Sequence, residues 1–357
     1  MITQLKCFLV AASFVLTAQI AFADRTIKAV QERLIEIGFK PGVADGIWGK
    51  NTENALREFL SKKGLIFDGI LDENELEFLQ IQDLLDEKVK LKLNIHRSLP
   101  QSWVAEFNEI LKTLKDVLPI DEEFNSYVKN STLEIYAWSS KVSNPFTQKP
   151  NMSGACICGD GKTKWMVLEI NHNEFRNNSL HRYSVIVHEY FHAYQIGLSR
   201  NRMQPKWLVE GSAKVLEEMF VQQYYGRSSL KKDFERRNPY LWSDDVFINP
   251  HLYEKHETSS KETSNGWMDM NYAGSAFMVL TLVNELKKTG ISEAEALELI
   301  LRNFWIEQSK QKNWKAAFKN SFGMNVETFY EILSTYSKRD INKMLPSKSL
   351  KIQKIFY

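Results

Sequence analysis

The sequence predicts an α+β fold that is mostly helical, with a three-helix N-terminal module, a small sheet and a helical C-terminal part. Three short apolar patterns with helical spacing precede residue 82, and glycine turns separate them. The alternating segment 131–138 and the apolar segment 165–170 predict strands, and helical patterns dominate after residue 183. A length of 357 residues is enough for about two such domains.

The composition is typical of a soluble globular protein. Hydrophobic residues make up 43% of the chain and charged residues 25%, which argues against bulk disorder. The formal net charge is only +2, so the chain has no strong field for a polyanion. We therefore expect no nucleic-acid partner.

The first 23 residues differ from the rest of the chain. Lys6 is the only charged residue before Asp24, and an apolar stretch ends in Ala21-Phe22-Ala23. This pattern predicts a cleaved signal peptide over 1–23, and hence a periplasmic or extracellular bacterial protein with no membrane partner after cleavage. The alternative is a membrane anchor, for which the apolar run is a little short.

The predicted N-terminal module covers residues 24–82. Its first helix is indicated by Ile27, Val30, Leu34 and Ile37, and its second by Ala55, Leu56, Phe59 and Leu60. Leu76, Phe78 and Leu79 indicate the third. Asn51 or Thr52 is placed to cap the second helix. An Asp-Gly-Ile step precedes both the second and the third helix, which indicates an internal half-repeat.

This segment resembles the peptidoglycan-binding-like family of small three-helix modules. The resemblance lies in Val30-Gln31, Leu34, Gly38, Pro41-Gly42, Asp45-Gly46-Ile47-Trp48-Gly49, Thr52, Ala55-Leu56, Phe59, Gly64-Leu65 and Asp68-Gly69. It implies that residues 24–82 bind peptidoglycan. The alternative is a helical packing domain without a ligand, as in some propeptides. Trp48 is either a platform for a sugar or part of the core.

The rest of the chain divides by composition. A charged stretch predicts a linker over 83–100, residues 101–340 form the larger domain, and 341–357 form a basic tail. After removal of residues 1–23 only Cys156 and Cys158 remain, so a disulfide-rich scaffold is excluded. We favour two small residues on one face of a strand over a disulfide or a soft-metal site.

His188-Glu189-Tyr190-Phe191-His192 is the strongest chemical signal. Histidines four residues apart share one face of a helix, so both rings can reach one ion. Glu210 follows after a gap of seventeen residues in a second apolar helix, where a carboxylate needs a positive partner. Two His and one Glu leave a fourth position open, as catalytic zinc requires. We expect one zinc per chain; His172, His181, His251 and His256 are weaker candidates.

These two motifs resemble the gluzincin superfamily of metallopeptidases, in which HExxH is followed by a Trp-Leu-x-Glu-Gly-x-Ala helix. Here that helix reads Trp207-Leu208-Val209-Glu210-Gly211-Ser212-Ala213, and Tyr272-Ala273-Gly274 resembles the family's Tyr-x-x-Gly segment. The resemblance implies a zincin-like catalytic domain in which zinc activates a water and peptide bonds are hydrolysed.

The same resemblance assigns the roles of individual residues. His188, His192 and Glu210 would be the metal ligands, Glu189 the general base, and Tyr272 the donor to the oxyanion. The substrate would be a protein or peptide, and the N-terminal module would direct the enzyme to the cell wall. Two alternatives stay open: hydrolysis of peptidoglycan stem peptides, and an inactive wall-binding protein.

Overall fold

The structure is a computed structural model that describes residues 27–69, 71, 73–81, 89–120, 122–146, 153–160, 162–235, 242–243, 246–247, 257 and 270–356. The chain divides into two compact units, Met1–Lys88 with Leu111–Asp116, and Val89–Ile110 with Val117–Tyr357. The predicted signal peptide, His251 and His256 lie outside the described residues. No helix in the described ranges is long and apolar enough to cross a membrane.

Three helices form the N-terminal module, as predicted. They are α1 (residues 27–36), α2 (Lys50–Lys62) and α3 (Glu73–Phe78). The core contains the apolar residues expected from the helical spacing: Val30, Leu34, Ala55, Leu56, Phe59, Leu60, Leu76 and Leu79. Phe78 is an exception, because its side chain is 44% exposed whereas the next residue, Leu79, is buried.

A buried polar cluster replaces the helix cap that we predicted. The N-cap of α2 is Gly49 and makes no side-chain capping bond, so neither Asn51 nor Thr52 has that role. Instead, Thr52 donates to the carbonyl of Pro41 and accepts from the amide of Gln31. Gln31 also accepts from the backbone N–H of Gly46, which has a φ of +74°. These bonds hold the turn before α2 and satisfy polar groups inside a small core.

The second unit contains a four-stranded mixed sheet with the order β1-β2-β4-β3. Its strands are β1 (Lys90–Ile95), β2 (Thr132–Ser139), β3 (Ala155–Gly159) and β4 (Lys164–Ile170). β1 and β4 run parallel to β2, and β3 runs antiparallel to β4. The two predicted strands, now β2 and β4, are both interior.

Within the segment 83–100, predicted as a linker, residues Lys90–Ile95 form strand β1. β1 pairs with β2 along one side only, and charged side chains such as lysine are common on edge strands of this kind. Lys90 and Lys92 are exposed, and Lys92 pairs with Glu134 across the sheet at 2.9 Å. Because of these lysines, the segment was interpreted from the sequence as a charged linker and not as a strand.

The remaining described elements are mainly helices, and all belong to this unit except residues Leu111–Asp116 of the first helix, which fall in the other unit. They are α4 (Gln101–Val117), α5 (His172–Arg176), α6 (His181–Ser199), α7 (Lys206–Tyr225), α8 (Leu230–Glu235), α9 (Ser275–Lys288), α10 (Glu293–Glu298), α11 (Phe304–Lys310), α12 (Trp314–Phe322), α13 (Val326–Leu333), α14 (Ile341–Met344) and α15 (Gln353–Phe356). A short antiparallel pair, β5 (Trp242–Ser243) and β6 (Val246–Phe247), also occurs. This content confirms a mostly helical α+β fold.

Two further predictions are corrected. The segment 341–357, predicted as a basic tail, contains α14 and α15, and its Ile352 and Ile355 are each 1% exposed. Burial of those apolar side chains holds it against the domain despite its lysines. Cys156 and Cys158 lie in strand β3, as expected, but they are joined in a disulfide, the alternative that we did not favour.

Candidate metal centre

Helices α6 and α7 pack antiparallel and carry the predicted ligands. Ser184 Oγ donates to Glu217 at 2.7 Å, and the amide of Gln195 donates to the carbonyl of Val209 at 3.2 Å. A later residue of α6 therefore contacts an earlier residue of α7, so the two helices run antiparallel. This is the return expected from the seventeen-residue gap. His188 lies between these two contacts, and it therefore faces Glu210.

His188, His192 and Glu210 converge into a buried group that could hold a metal ion. Glu210 Oε2 lies 3.2 Å from His188 Nε2 and 3.5 Å from His192 Nε2. The potential ligand atoms all lie within 4.8 Å of one another. Because the three residues are each less than a tenth exposed, an ion would be held away from bulk water. The residues predicted from the sequence are thus brought together.

Partners on the far side of each ring fix its orientation. His188 Nδ1 lies 3.1 Å from Glu217 Oε2, and His192 Nδ1 lies 2.7 Å from the amide oxygen of Gln195. Each Nδ1–H can donate to its oxygen, which leaves the lone pair of Nε2 facing Glu210. Metal-binding histidines use this arrangement because the second hydrogen bond selects the tautomer that binds the ion.

The second oxygen of Glu210 has its own partner. Lys206, one helical turn earlier on α7, donates to Glu210 Oε1. The lysine therefore occupies one oxygen and leaves Oε2 between the two imidazoles. Burial opposes the charged form of Glu210, but the nearby His192 charge and the hydrogen bonds from both histidines hold the pKa of Glu210 well below its ordinary value. The ligand is thus ionised.

The electrostatics of this centre favour positive charge between the rings. Burial lowers the pKa of His188, but hydrogen bonds to Glu210 and Glu217 outweigh that effect and raise it to about 10, so without a metal ion the ring holds a second proton that a bound ion would displace. Glu217 in turn remains ionised, because Lys214 and His188 offset its burial and keep its pKa far below the usual range. Lys214 pairs with Glu217 at 3.0 Å and with Glu218 at 2.8 Å. A cation at this position would be well compensated.

Glu189 and a cavity lie next to the centre. The cavity has a volume of about 380 Å³, and its lining includes His188, Glu189 and Val185 of α6 and Ala155 of the edge strand β3. Burial raises the pKa of Glu189, although the neighbouring His192 and His188 charges lower it in part. A carboxyl with a raised pKa beside an open cavity is suited to accept and release a proton.

Tyr272 lines the same cavity. It belongs to a π-helical segment, Met270–Gly274, that leads into α9, and its ring centroid is 5.8 Å from that of His188. Gly211 explains how this segment approaches the centre: a Cβ at that position would overlap the carbonyl of Ser275. The glycine after Glu210 is therefore required for the contact between α7 and α9.

The other histidines are placed as the sequence indicated. His181 pairs with Glu174 at 2.8 Å and lies on the cavity wall, and His172 is half-buried in the short helix α5. Neither belongs to the buried group. Sequence reasoning missed Gln195 and Glu217, although their spacing offered a signal. Gln195 follows His192 by three residues and Glu217 follows Glu210 by seven, so each shares a helix face with a ligand.

We predict that Glu217→Gln weakens binding of a divalent metal by about 10–100-fold, as is usual when the partner of a metal-binding histidine is lost. Glutamine at position 217 carries no negative charge, so it stabilises the Nδ1-protonated tautomer of His188 less than Glu217 does. Glu218→Gln is the matched control, because Glu218 also pairs with Lys214 and has no hydrogen bond to a ligand among the described residues. Titration with Zn²⁺ or Co²⁺ measures both; equal losses in the two variants would contradict the assignment.

Comparisons with known proteins bear on the N-terminal module. Residues 24–79 match the family model described as "Putative peptidoglycan binding domain". This match agrees with the resemblance found in the sequence, supports peptidoglycan as a partner and indicates association with the cell wall. The chain matches no curated protein and no solved structure.

Proposed function

We propose that this protein is an exported zinc metallopeptidase with a zincin-like catalytic domain that acts at the cell wall. The observation that carries the proposal is the convergence of His188 Nε2, His192 Nε2 and Glu210 Oε2 on one buried point. Two imidazoles and one carboxylate are a ligand set typical of catalytic zinc, which keeps a fourth position open. The N-terminal module supports the location.

The residues around the centre have complementary roles in hydrolysis. When bound, zinc supplies a Lewis acid that activates water and polarises a peptide carbonyl. Glu189 accepts the proton of the attacking water and passes it to the leaving amine. His188 and His192 stay in one tautomer because Glu217 and Gln195 hold them. The cavity beside Glu189 accommodates a side chain of the substrate.

Strand β3 is the candidate for substrate alignment. The predicted strands β2 and β4 are both interior, so neither offers a free edge to an extended peptide. β3 is an edge strand, and its Ala155 lines the cavity that contains Glu189. An extended substrate would pair with this edge by backbone hydrogen bonds.

Two incubations test the proposed function. The purified protein is incubated separately with casein and with purified sacculi, each with and without a chelator. We expect cleavage of at least one substrate, its loss with chelator and its recovery on addition of zinc. Casein cleavage indicates a protein substrate, whereas release of peptides from sacculi indicates stem-peptide hydrolysis. Absence of cleavage in both, with zinc bound, favours an inactive wall-binding protein.

Tyr272→Phe should lower kcat by about 10²–10³-fold and leave KM nearly unchanged, because a bond to the oxyanion forms mainly in the transition state. The change removes only the hydroxyl from a ring on the cavity wall. Steady-state kinetics on the substrate identified above measure it. Tyr127→Phe, a half-buried tyrosine that does not line the cavity, is the control. If Tyr272→Phe left kcat unchanged, the oxyanion donor would be another residue.

A further inference from the structure

A groove in the N-terminal module combines aromatic rings with cationic side chains. Its volume is about 330 Å³, and its lining includes Phe39, Phe59, Phe78, Arg33, Lys62 and Lys63. No carboxylate occurs among the described residues that line it. The groove lies apart from Trp48, which packs against the core beside Phe67 at a centroid distance of 6.0 Å. Trp48 is partly buried, and both roles considered for it stay open.

The aromatic part of the groove is partly open to solvent. Phe39 and Phe59 meet edge to face with their centroids 5.6 Å apart. Phe78, predicted as a core residue, is instead 44% exposed on this wall. An exposed phenylalanine beside two others offers apolar contact area that nothing in the fold of the module requires. These rings are suited to the aliphatic portions of a ligand.

The cations are held at the same wall. Lys62 Nζ lies 4.6 Å from the ring centroid of Phe39, and Lys63 Nζ lies 5.9 Å from that of Phe59. The Nε of Arg33 donates to the carbonyl of Leu79 at 2.9 Å, which fixes the guanidinium. Three positive groups on one groove point to an anionic ligand.

Among the described residues, the groove has more cationic side chains than carboxylate partners for them. Arg33 pairs with Glu36 and Lys62 with Glu58, and both glutamates are more than half exposed. Exposed pairs of this kind contribute little and are readily exchanged for a ligand. Lys63 pairs with no carboxylate among the described residues, so the three cations outnumber their two partners.

We propose that this groove binds the stem peptides of peptidoglycan through their free carboxylate groups, with the accessible rings of Phe39 and Phe78 contacting the aliphatic side chains. Glycan strands of acetylated sugars carry no such density of negative charge, whereas each stem peptide carries carboxylates. The inference rests on the proposed association with the cell wall, and it is independent of the metal centre.

Sedimentation of the full chain with sacculi tests the groove. Two soluble competitors are added to intact sacculi: free stem peptides, and glycan strands whose stem peptides have been removed enzymatically. The variants are Lys63→Glu and Phe78→Ala. Their matched controls are Lys50→Glu and Ile66→Ala, since both residues are exposed in the same module and neither lines the groove. Thermal unfolding confirms that all four variants are folded.

We expect the wild type and both controls to sediment with intact sacculi, and free stem peptides but not the stripped glycan strands to release them into the supernatant. Lys63→Glu should weaken binding by about tenfold, as expected for loss of a charged hydrogen bond, and Phe78→Ala should weaken it several-fold. Equal competition by the stripped glycan strands, or wild-type binding by both groove variants, would overturn the assignment of the groove. Failure of the wild type to sediment with intact sacculi would instead refute wall association, and the groove assignment with it.

Discussion

Glu189→Gln is expected to lower turnover by about 10²–10⁴-fold, the usual contribution of a general base, while zinc stays bound. Glutamine keeps the size of the side chain but cannot accept a proton from the attacking water. Glu189 lines the cavity and is not one of the three converging residues, so the metal ligands stay unchanged. Burial beside the centre raises the pKa of Glu189, and it also makes this carboxyl suitable as a proton acceptor.

The measurement is kcat together with zinc content, on whichever substrate the wild type cleaves. Glu327→Gln is the matched control, because that glutamate is exposed and pairs with Lys315 on the surface. The control should retain full activity. If Glu189→Gln turned over at a rate near that of the wild type, general-base catalysis by this carboxylate would be refuted.

Glu210→Gln is expected to weaken zinc binding by about 100-fold or more, exceeding the effect of losing a residue that only orients a ligand. A neutral amide is a poor ligand for zinc, and the substitution also leaves Lys206 without its carboxylate partner. Activity should be lost at ordinary zinc concentrations. High zinc should restore part of it, since His188, His192 and Glu189 remain.

Thermal unfolding with and without zinc separates loss of binding from loss of fold. Zinc at about one hundred times its Kd should add about 2.7 kcal/mol to the free energy of unfolding of the wild type. At that zinc concentration Glu210→Gln should gain much less. If both proteins gained equal stability from zinc, Glu210 would not be a ligand.

The three converging residues could be predicted from the sequence because each depends on local geometry. His188 and His192 share a helix face by their spacing alone, and Glu210 needed a positive partner in an apolar helix. Gln195 and Glu217 could not be assigned roles in the same way. Their hydrogen bonds to the rings depend on the register between α6 and α7, which only the packed structure defines.

The sheet was predicted only where its strands are richest in apolar side chains. Strands β2 and β4 are interior, so their side chains show the pattern of a buried sheet. β1 and β3 are edge strands: β1 carries lysines and β3 has only five residues. Edge strands need less apolar surface, and their sequences therefore carry a weaker signal. For this reason β3, the strand beside the cavity, was not predicted as an edge strand from the sequence.

The exposure of Phe78 shows a limit of apolar spacing as a guide. Leu76, Phe78 and Leu79 are all apolar and all lie at the third helix of the module, but only the two leucines are buried. A helix of six residues, Glu73–Phe78, presents too narrow a face for all three. The side chain left outside lines the groove that we assign to stem peptides.

Zinc content per chain tests the central claim most directly. The wild type and the double variant His188→Ala, His192→Ala are purified with added zinc, dialysed and analysed for metal. Our account predicts one zinc per chain in the wild type and none in the double variant, which lacks both imidazole ligands. Absence of stoichiometric zinc from the wild type, or its retention by the double variant, would contradict it.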